Sequence, residues 1–259
     1  MNTQHTPHNT VLPMVDVISL AVKFKSAKEA KDARLLVLLA IPENSTNEDC
    51  WVLPNRCLGD KQTAKQTAQA LLNEAGIKYN SLAVLPHFSA PNKSTADGQR
   101  VLSLPYLCLT GDMAAQQYQA ASQQLEWFGS DDSPTGNPSQ TNTAIAIKKI
   151  KGFNQLAWHD ISKLPSLEKS YGHDEIIQSI INTLAERRGV ELVETALHLL
   201  PKEFIVRNAR LVCEILSERK HEFTVFKRYL EKTDKIIVID GEPEKTKGKG
   251  RPAKRYRKL

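Results

Sequence analysis

The sequence has 259 residues, of which 41% are hydrophobic, and a formal net charge of +6; this composition can bury a core and excludes a globally disordered chain. Its longest apolar run, Leu35–Ile41, has seven residues, far below the ~18 that a membrane span needs, so no membrane partner is expected. The four cysteines lack the spacing of a metal site or a disulfide framework, and the amino terminus lacks a signal-peptide pattern, which together favour a cytoplasmic protein.

The first half of the chain has a pattern of strands with one helix. Residues 1–12 are predicted to form a flexible amino terminus. Aliphatic and β-branched runs bounded by polar residues predict strands over 15–24, 34–41, 51–53, 81–88 and 100–109. Helical spacing of Ala64, Ala68, Leu71 and Ala75, ended by Gly76, predicts a helix between the third and fourth of these strands. The aperiodic polar segment 129–143 is predicted to be a flexible insertion, with further strands over 144–150 and 156–158.

The second half has a helical pattern. Apolar residues at helical spacing predict helices over 174–187 and 192–200, and Pro201 ends the second of them. A further unit follows, with helices over 206–217 and 222–231, a strand over 235–240 and a basic segment over 245–258. This is the order of a winged helix-turn-helix, in which the second helix enters the DNA major groove.

The positive charge lies in this last unit. Residues 201–259 hold 17 Lys and Arg against 9 Asp and Glu, a balance of +8, whereas residues 1–200 hold 18 against 20, a balance of −2. Such asymmetry indicates a polyanion-binding module joined to a near-neutral domain. The segment 245–258 alone has eight Lys and Arg and no acidic residue. A solvated charged tail is the alternative interpretation of that segment.

Helical geometry assigns two faces to the helix over 222–231. Phe223, Phe226 and Leu230 share the face expected to pack on the preceding helix. The residues expected to lie roughly opposite, facing out, are Thr224, Val225, Arg228 and Lys232. The residues predicted to contact DNA, on this helix and in the basic segment, are Thr224, Lys227, Arg228, Lys232, Lys249, Arg251, Lys254, Arg255 and Arg257.

The stretch LPNRCLGDKQTAKQTAQALLNEAGI, residues 53–77, resembles a degenerate Nudix box. In that motif glutamates on a loop and helix hold Mg²⁺ against a diphosphate and activate water. When the final glycine of the motif is aligned with Gly76, its opening glycine falls on Asn55, its arginine on Gln69, and its glutamates on Lys61, Ala70, Asn73 and Glu74. One carboxylate cannot replace a cluster, so no catalytic residue or metal ligand is assigned and the chain is not expected to be an enzyme.

Other segments extend the resemblance to nearly the whole chain. WVLP (51–54) and AWHDISKLP (157–165) are similar to the entry and the closing segment of Nudix domains. The later segments resemble the linker, helix-turn-helix and wing of Nudix-related transcriptional regulators of NAD metabolism: GHDEII (172–177), LLPKEFIV (199–206), FTVFKRYLEK (223–232) and GRPAKRYR (250–257).

The resemblance implies an α/β fold, with a Nudix-like α/β/α sandwich and a mixed sheet over 13–168. A linker helix for dimerisation would follow over 169–197, and a winged helix-turn-helix over 198–259. It implies a repressor that binds a palindromic double-stranded DNA operator as a homodimer. The sandwich would sense ADP-ribose or a related nucleotide, with no cofactor required. The residues expected at the effector site are Trp51, Arg56, Glu74, Lys93 and Tyr106.

Each effector-site residue has an alternative role. Arg56 and Lys93 can neutralise a phosphate without metal, or serve as ordinary surface cations. Trp51 and Tyr106 can stack on an adenine or pack in the core, and Glu74 can simply be a surface residue at the end of a helix. For the whole chain the alternatives are an active Nudix pyrophosphohydrolase with a nonspecific nucleic-acid-binding tail, and an architectural DNA-binding protein whose Nudix domain only dimerises.

Overall fold

The structure is a computed structural model, which describes residues 11–24, 33–45, 50–88, 99–111, 150–167, 172–239 and 254–259. Most of the predicted flexible amino terminus, the predicted insertion over 129–143, the strand predicted over 144–150 except its last residue, and most of the basic segment lie outside the described residues. None of the described helices is long and apolar enough to span a membrane.

A mixed six-stranded sheet is built around the long strand β1 (Leu12–Phe24). Its order is β4–β5–β1–β2–β6, with β3 paired to the first part of β1. β1 and β5 are parallel and all other described pairs are antiparallel. The remaining strands are β2 (Ala33–Pro42), β3 (Asn55–Cys57), β4 (Ser81–Val84), β5 (Val101–Thr110) and β6 (Phe153–Asp160).

Helix α1 (Ala64–Glu74) covers one face of this sheet. It begins at a capping box, in which Gln66 N donates to Thr63 Oγ1 and Thr63 N donates to Gln66 Oε1. It ends before Gly76, whose φ of +69° suits a residue without a side chain. Alternation along β1 supplies the apolar partners, because successive strand residues point to opposite faces. The cluster on this face contains Val15, Val17 and Ala21 of β1 with Ala68, Leu71 and Leu72 of α1.

Four helices lie on the opposite side of the sheet: α2 (His173–Glu186), α3 (Gly189–His198), α4 (Val206–Ser217) and α5 (Phe223–Glu231). The last of them, α5, packs on α3 and α4. One apolar cluster runs from Ile18 and Leu20 of β1 through Ile176 of α2 to Leu230 of α5 and Tyr256. The residues predicted to form a DNA-binding unit therefore share a continuous core with the residues predicted to form the sandwich.

A three-stranded antiparallel sheet completes the last unit. Its order is β7–β9–β8, formed by β7 (Glu203–Ile205), β8 (Ile236–Ile239) and β9 (Arg255–Lys258). Tyr256 of β9 points into the core and stacks on Phe204 with ring centroids 6.0 Å apart. Helix α4, helix α5 and this sheet have the arrangement of a winged helix-turn-helix, as the sequence predicts.

Three local predictions differ from the structure. The strand predicted over 51–53 consists of isolated bridges, and the strand β3 follows Pro54, because the Pro54 carbonyl accepts from Val17 N at 2.8 Å and keeps the chain extended. The strand predicted over 81–88 ends at Val84, since Pro86 cannot donate to a ladder. Phe223 is not buried with Phe226 and Leu230 but is 47% exposed, with the Arg210 guanidinium 5.9 Å from its ring centroid.

Candidate functional site

A cavity of about 510 Å³ lies between the end of α1 and the strands β2, β3 and β6. Its lining consists of Pro42, Asn55, Arg56, Glu74, Lys151, Gly152 and Phe153. The degenerate Nudix box thus supplies Asn55 and Arg56 from β3 and Glu74 from α1. A wider depression, of about 670 Å³, is lined by α2 alone, and a hollow on one helix does not enclose a ligand.

An ion pair crosses the floor of the cavity. Arg56 Nη1 donates to Glu74 Oε1 and Arg56 Nη2 to Glu74 Oε2, both at 2.7 Å. The hydrogen bonds from Arg56 hold the pKa of Glu74 below its usual value, and the nearby Lys151 acts in the same direction. The same bonds raise the pKa of Arg56. The one glutamate retained from the box is therefore ionised and has both oxygens bonded to a guanidinium.

The cavity carries more positive than negative charge. Two cationic side chains, Arg56 and Lys151, line it against the single carboxylate of Glu74. Lys151 lies outside every motif in the sequence, and the turn before β6 brings it to the box. In the part of the chain that is described, no group of three or more His, Cys, Asp or Glu side chains is placed to hold a metal ion.

Two residues predicted at the effector site lie elsewhere. Trp51 is 5% exposed and packs edge-on against His159, with ring centroids 4.3 Å apart. Tyr106 is 8% exposed in the core beneath α1. Neither lines the cavity, so both are placed in the packing role that the sequence left as the alternative to stacking. Lys93 lies outside the described residues.

A buried polar network connects the entrance of the box to α2. Leu53 N donates to His173 Nδ1 at 3.1 Å, and His173 Nε2 lies 3.2 Å from Asp16 Oδ1. Because Nδ1 accepts, Nε2 carries the proton and donates to the carboxylate. Ser103 Oγ donates to the other oxygen of Asp16. Asn55, which lines the cavity, donates to Leu53 O at 2.8 Å, so the cavity wall and the first residue of α2 are two hydrogen bonds apart.

The outward face of α5 is the candidate nucleic-acid interface. Thr224, Val225, Arg228 and Lys232 are all exposed, as the sequence predicts. Among the described residues, neither Arg228 nor Lys232 forms an ion pair. Lys254, just before β9, is exposed and likewise has no acidic partner in the described ranges.

Other predicted DNA-contact residues are engaged within the protein. Arg255 Nη2 donates to Glu203 Oε2 at 2.6 Å, and Arg257 Nη2 donates to Glu203 Oε1 at 2.7 Å. These bonds cross from β9 to β7 and lower the pKa of Glu203, Arg257 being the main cause. Lys227 is 3.4 Å from Glu231 one turn along α5. Lys249 and Arg251 lie outside the described residues.

The amino terminus of α5 is capped by the side-chain carboxylate of Glu222, the residue just before the helix. Glu222 accepts from Thr224 N at 2.9 Å and from Val225 N at 2.8 Å. These backbone bonds, together with the Thr224 hydroxyl and the charge of Arg228, lower the pKa of Glu222. A helix amino terminus often binds a phosphate, but here a carboxylate occupies it. Thr224 is therefore part of the helix cap.

Several solved structures have a similar fold over nearly the whole chain. NrtR of Shewanella oneidensis has a TM-score of 0.62 and 19% identity, covering 96% of this chain and 94% of that one. The same protein complexed with a 27mer DNA has a TM-score of 0.62 and 17% identity, covering 95% and 93%. A MutT/nudix family protein from Enterococcus faecalis has a TM-score of 0.59 and 18% identity, covering 99% and 90%. No protein-family model and no curated protein matches the sequence.

Fewer than a fifth of the residues are identical between this chain and each of these proteins, so the similarity shows the fold alone. It agrees with the two parts built up above, a mixed sheet between α1 and the later helices, and a winged helix-turn-helix at the carboxyl end. The chain therefore has the fold of the Nudix-related transcriptional regulator NrtR.

Proposed function

We propose that the protein is a nucleotide-responsive transcriptional regulator that binds operator DNA through α5 and the wing. The observation that carries the proposal is the outward face of α5, where Arg228 and Lys232 are exposed and form no ion pair with any described residue. A cation left unpaired in this way remains available to phosphates and base edges. The similar structure of NrtR with a 27mer DNA supports the same assignment.

The cavity at the degenerate box is the proposed effector site. Its excess of cations, from Arg56 and Lys151, suits the phosphates of ADP-ribose or a related nucleotide. Hydrolysis needs carboxylates free to hold Mg²⁺, and the carboxylate of Glu74 is bonded on both oxygens to Arg56. The protein would therefore bind the nucleotide without cleaving it. It would act as a repressor of NAD-metabolism genes and bind a palindromic operator as a homodimer.

The end of α3 is the proposed joint between the two parts. From the sandwich, Asn80 Nδ2 donates to His198 O at 2.7 Å. From β9 of the last unit, Lys258 Nζ donates to Leu197 O at 3.0 Å and to Leu200 O at 2.6 Å. Three neighbouring carbonyls at and just after the end of α3 are thus bonded, that of His198 by the sandwich and those of Leu197 and Leu200 by β9. A shift of either part therefore changes the position of carbonyls that bond the other.

Binding measurements test the function. Duplexes selected by the protein from a random-sequence pool are expected to bind it more weakly when ADP-ribose is present. Linkage requires that the DNA weaken ADP-ribose binding by the same factor. An identical ADP-ribose affinity with and without DNA contradicts the proposal. Mg²⁺-dependent release of a nucleoside monophosphate from ADP-ribose would instead identify a hydrolase.

A glycine at the joint offers a test of the coupling. Gly111 follows β5, and a Cβ there would collide with the Leu200 carbonyl. Gly111→Ala is expected to leave each ligand bound and to change the factor by which ADP-ribose alters DNA affinity. Gly59→Ala is the matched control, because a Cβ there meets nothing within 4 Å. An unchanged factor in Gly111→Ala, with the folded state verified by circular dichroism, would exclude this joint.

A further inference from the structure

Val225 is an unusual residue for its position in the helix. It lies in the first turn of α5 and is 43% exposed. Valine is a weaker helix former than alanine or the charged residues, because its branched side chain loses rotamer freedom in a helix. An exposed valine in a nine-residue helix therefore stabilises the helix less than alanine would, and it contributes nothing to the core. Its side chain offers only methyl groups to whatever faces α5.

The other exposed apolar side chains of α5 lie on the sides of the helix. Phe223 lies under the Arg210 guanidinium of α4. The Tyr229 ring lies beside the backbone of Gly189, at the start of α3. At about 100° per residue, Phe223 and Tyr229 are about 140° and 100° from Arg228 around the helix, whereas Val225 is only about 60° away. Val225 thus belongs to the face of Arg228 and Lys232.

Arg228 and Val225 are three residues apart, so their Cβ atoms are neighbours at about 5–6 Å on the helix surface. Successive bases on one DNA strand are about 3.4 Å apart along the axis. Two side chains with this spacing reach base pairs that are one or two steps apart. Arginine bonds the O6 and N7 atoms of guanine, and the 5-methyl group of thymine is the apolar feature of the major groove.

We propose that Val225 is a specificity-determining residue that contacts the 5-methyl group of a thymine one or two base pairs from the guanine contacted by Arg228. The inference rests on the proposed DNA-binding function and adds the chemistry of the base that the helix reads. The stiff χ1 of valine keeps the methyl groups in place before the DNA arrives, so little side-chain entropy is lost on contact. The exposed cations Arg228 and Lys232 attract this face of α5 to the DNA phosphates.

Replacement of thymine by deoxyuridine removes only the methyl group and tests the contact. Wild-type protein first selects duplexes from a random-sequence pool, and each thymine of the selected site is then replaced singly. One thymine in each half-site is expected to give a three- to fivefold weaker affinity, about the effect of exposing one buried methyl group. Val225→Ala is expected to bind the thymine and deoxyuridine duplexes equally well.

The variants separate this contact from a loss of folding. Alanine is a better helix former than valine, so Val225→Ala is expected to keep α5. Val84→Ala is the matched control, because Val84 is exposed on β4 of the sandwich, and it should show the wild-type response to deoxyuridine.

Three results would overturn the inference. The first is that wild-type protein binds all singly substituted duplexes equally well. The second is that Val225→Ala loses as much affinity as the wild type when thymine is replaced by deoxyuridine. The third is that the selected site has no thymine within two base pairs of a guanine. Failure of the proposed function looks different, since the pool would then yield no preferred sequence.

Discussion

Glu74→Gln is expected to tighten the binding of an anionic ligand. In the wild-type cavity both oxygens of Glu74 accept from Arg56 at 2.7 Å, so the two N–H groups that face Glu74 become available to a phosphate only when the carboxylate is displaced. Glutamine keeps the shape of the side chain and removes its charge. An active hydrolase would respond in the opposite direction, because loss of a metal-binding carboxylate weakens a Mg²⁺-dependent complex.

The size of the expected gain in affinity follows from the exposure of the ion pair and from the charge that is removed. The side chains of Arg56 and Glu74 are 29% and 39% exposed, so the pair resembles a surface ion pair worth about 1 kcal/mol or less. A negative charge ~6 Å from a bound phosphate opposes binding by ~0.7 kcal/mol in bulk water and by ~3 kcal/mol at the effective dielectric constant of ~20 typical near a protein surface; for this partly exposed site we take about 1 kcal/mol. Removal of both effects then amounts to about 2 kcal/mol, or about 30-fold in affinity.

Isothermal titration with pyrophosphate and with ADP-ribose, in EDTA at pH 7.5, measures the change. We expect Glu74→Gln to bind about five- to thirtyfold more tightly than the wild type, within the limit set by the two electrostatic effects. Glu186→Gln makes the same charge change at an exposed position on α2 and should leave the affinity unaltered. Weaker binding by Glu74→Gln, or binding that requires Mg²⁺, would refute the account of the cavity as a metal-free anion site.

Further variants test the interface and the stability of the fold. Arg228→Ala should lose about 1–3 kcal/mol on the selected duplex and little on random DNA, whereas Lys254→Ala should weaken both and flatten the salt dependence by about one ion; equal losses for Arg228→Ala would exclude base reading. Glu218 ends α4 with a φ of 53°, so Glu218→Gly should raise the free energy of unfolding by about 1 kcal/mol in urea titrations, and a loss of stability would contradict this. Burial lowers the pKa of His159 to about 4, so between pH 6.5 and 4 only the unfolded chain takes up the proton and stability falls. By pH 5 this fall is about 2 kcal/mol, and His159→Phe should remove it.

Local signals in the sequence predicted the elements well. Helix α4 runs over Val206–Ser217 as predicted, because its apolar residues keep one face and Pro201 separates it from α3. Helix α1 was equally clear from the helical spacing of Ala64 to Ala75 and the stop at Gly76, although its cap at Thr63 was not predicted. Strand β3 was not predicted, since it depends on pairing with Met14–Asp16, which lie far away in the chain.

The candidate sites were predictable only in part. The outward face of α5 follows from helical periodicity alone, and its exposure was confirmed, whereas its contact with DNA stays a prediction. The pairing of Arg255 and Arg257 with Glu203 depends on the register between β7 and β9, which no local pattern specifies. Composition counted both arginines as available for DNA, although their charges are already balanced in part by Glu203. Lys151 reaches the cavity for a similar reason, through the fold and not through a motif.

The continuous core limits how the proposed regulation can operate. Leu192 of α3, Leu216 of α4 and Leu230 of α5 belong to the same apolar cluster as the sheet residues Ile18 and Leu20. Exposure of each such side chain costs about 1.5–3 kcal/mol, so separation of the two parts would cost far more than the 1–3 kcal/mol of a typical allosteric coupling. One or two hydrogen bonds at the end of α3 supply a coupling of that size. The effector would therefore act by small shifts at this joint, which a dimer can amplify into a changed spacing of its two α5 helices, and not by opening the protein.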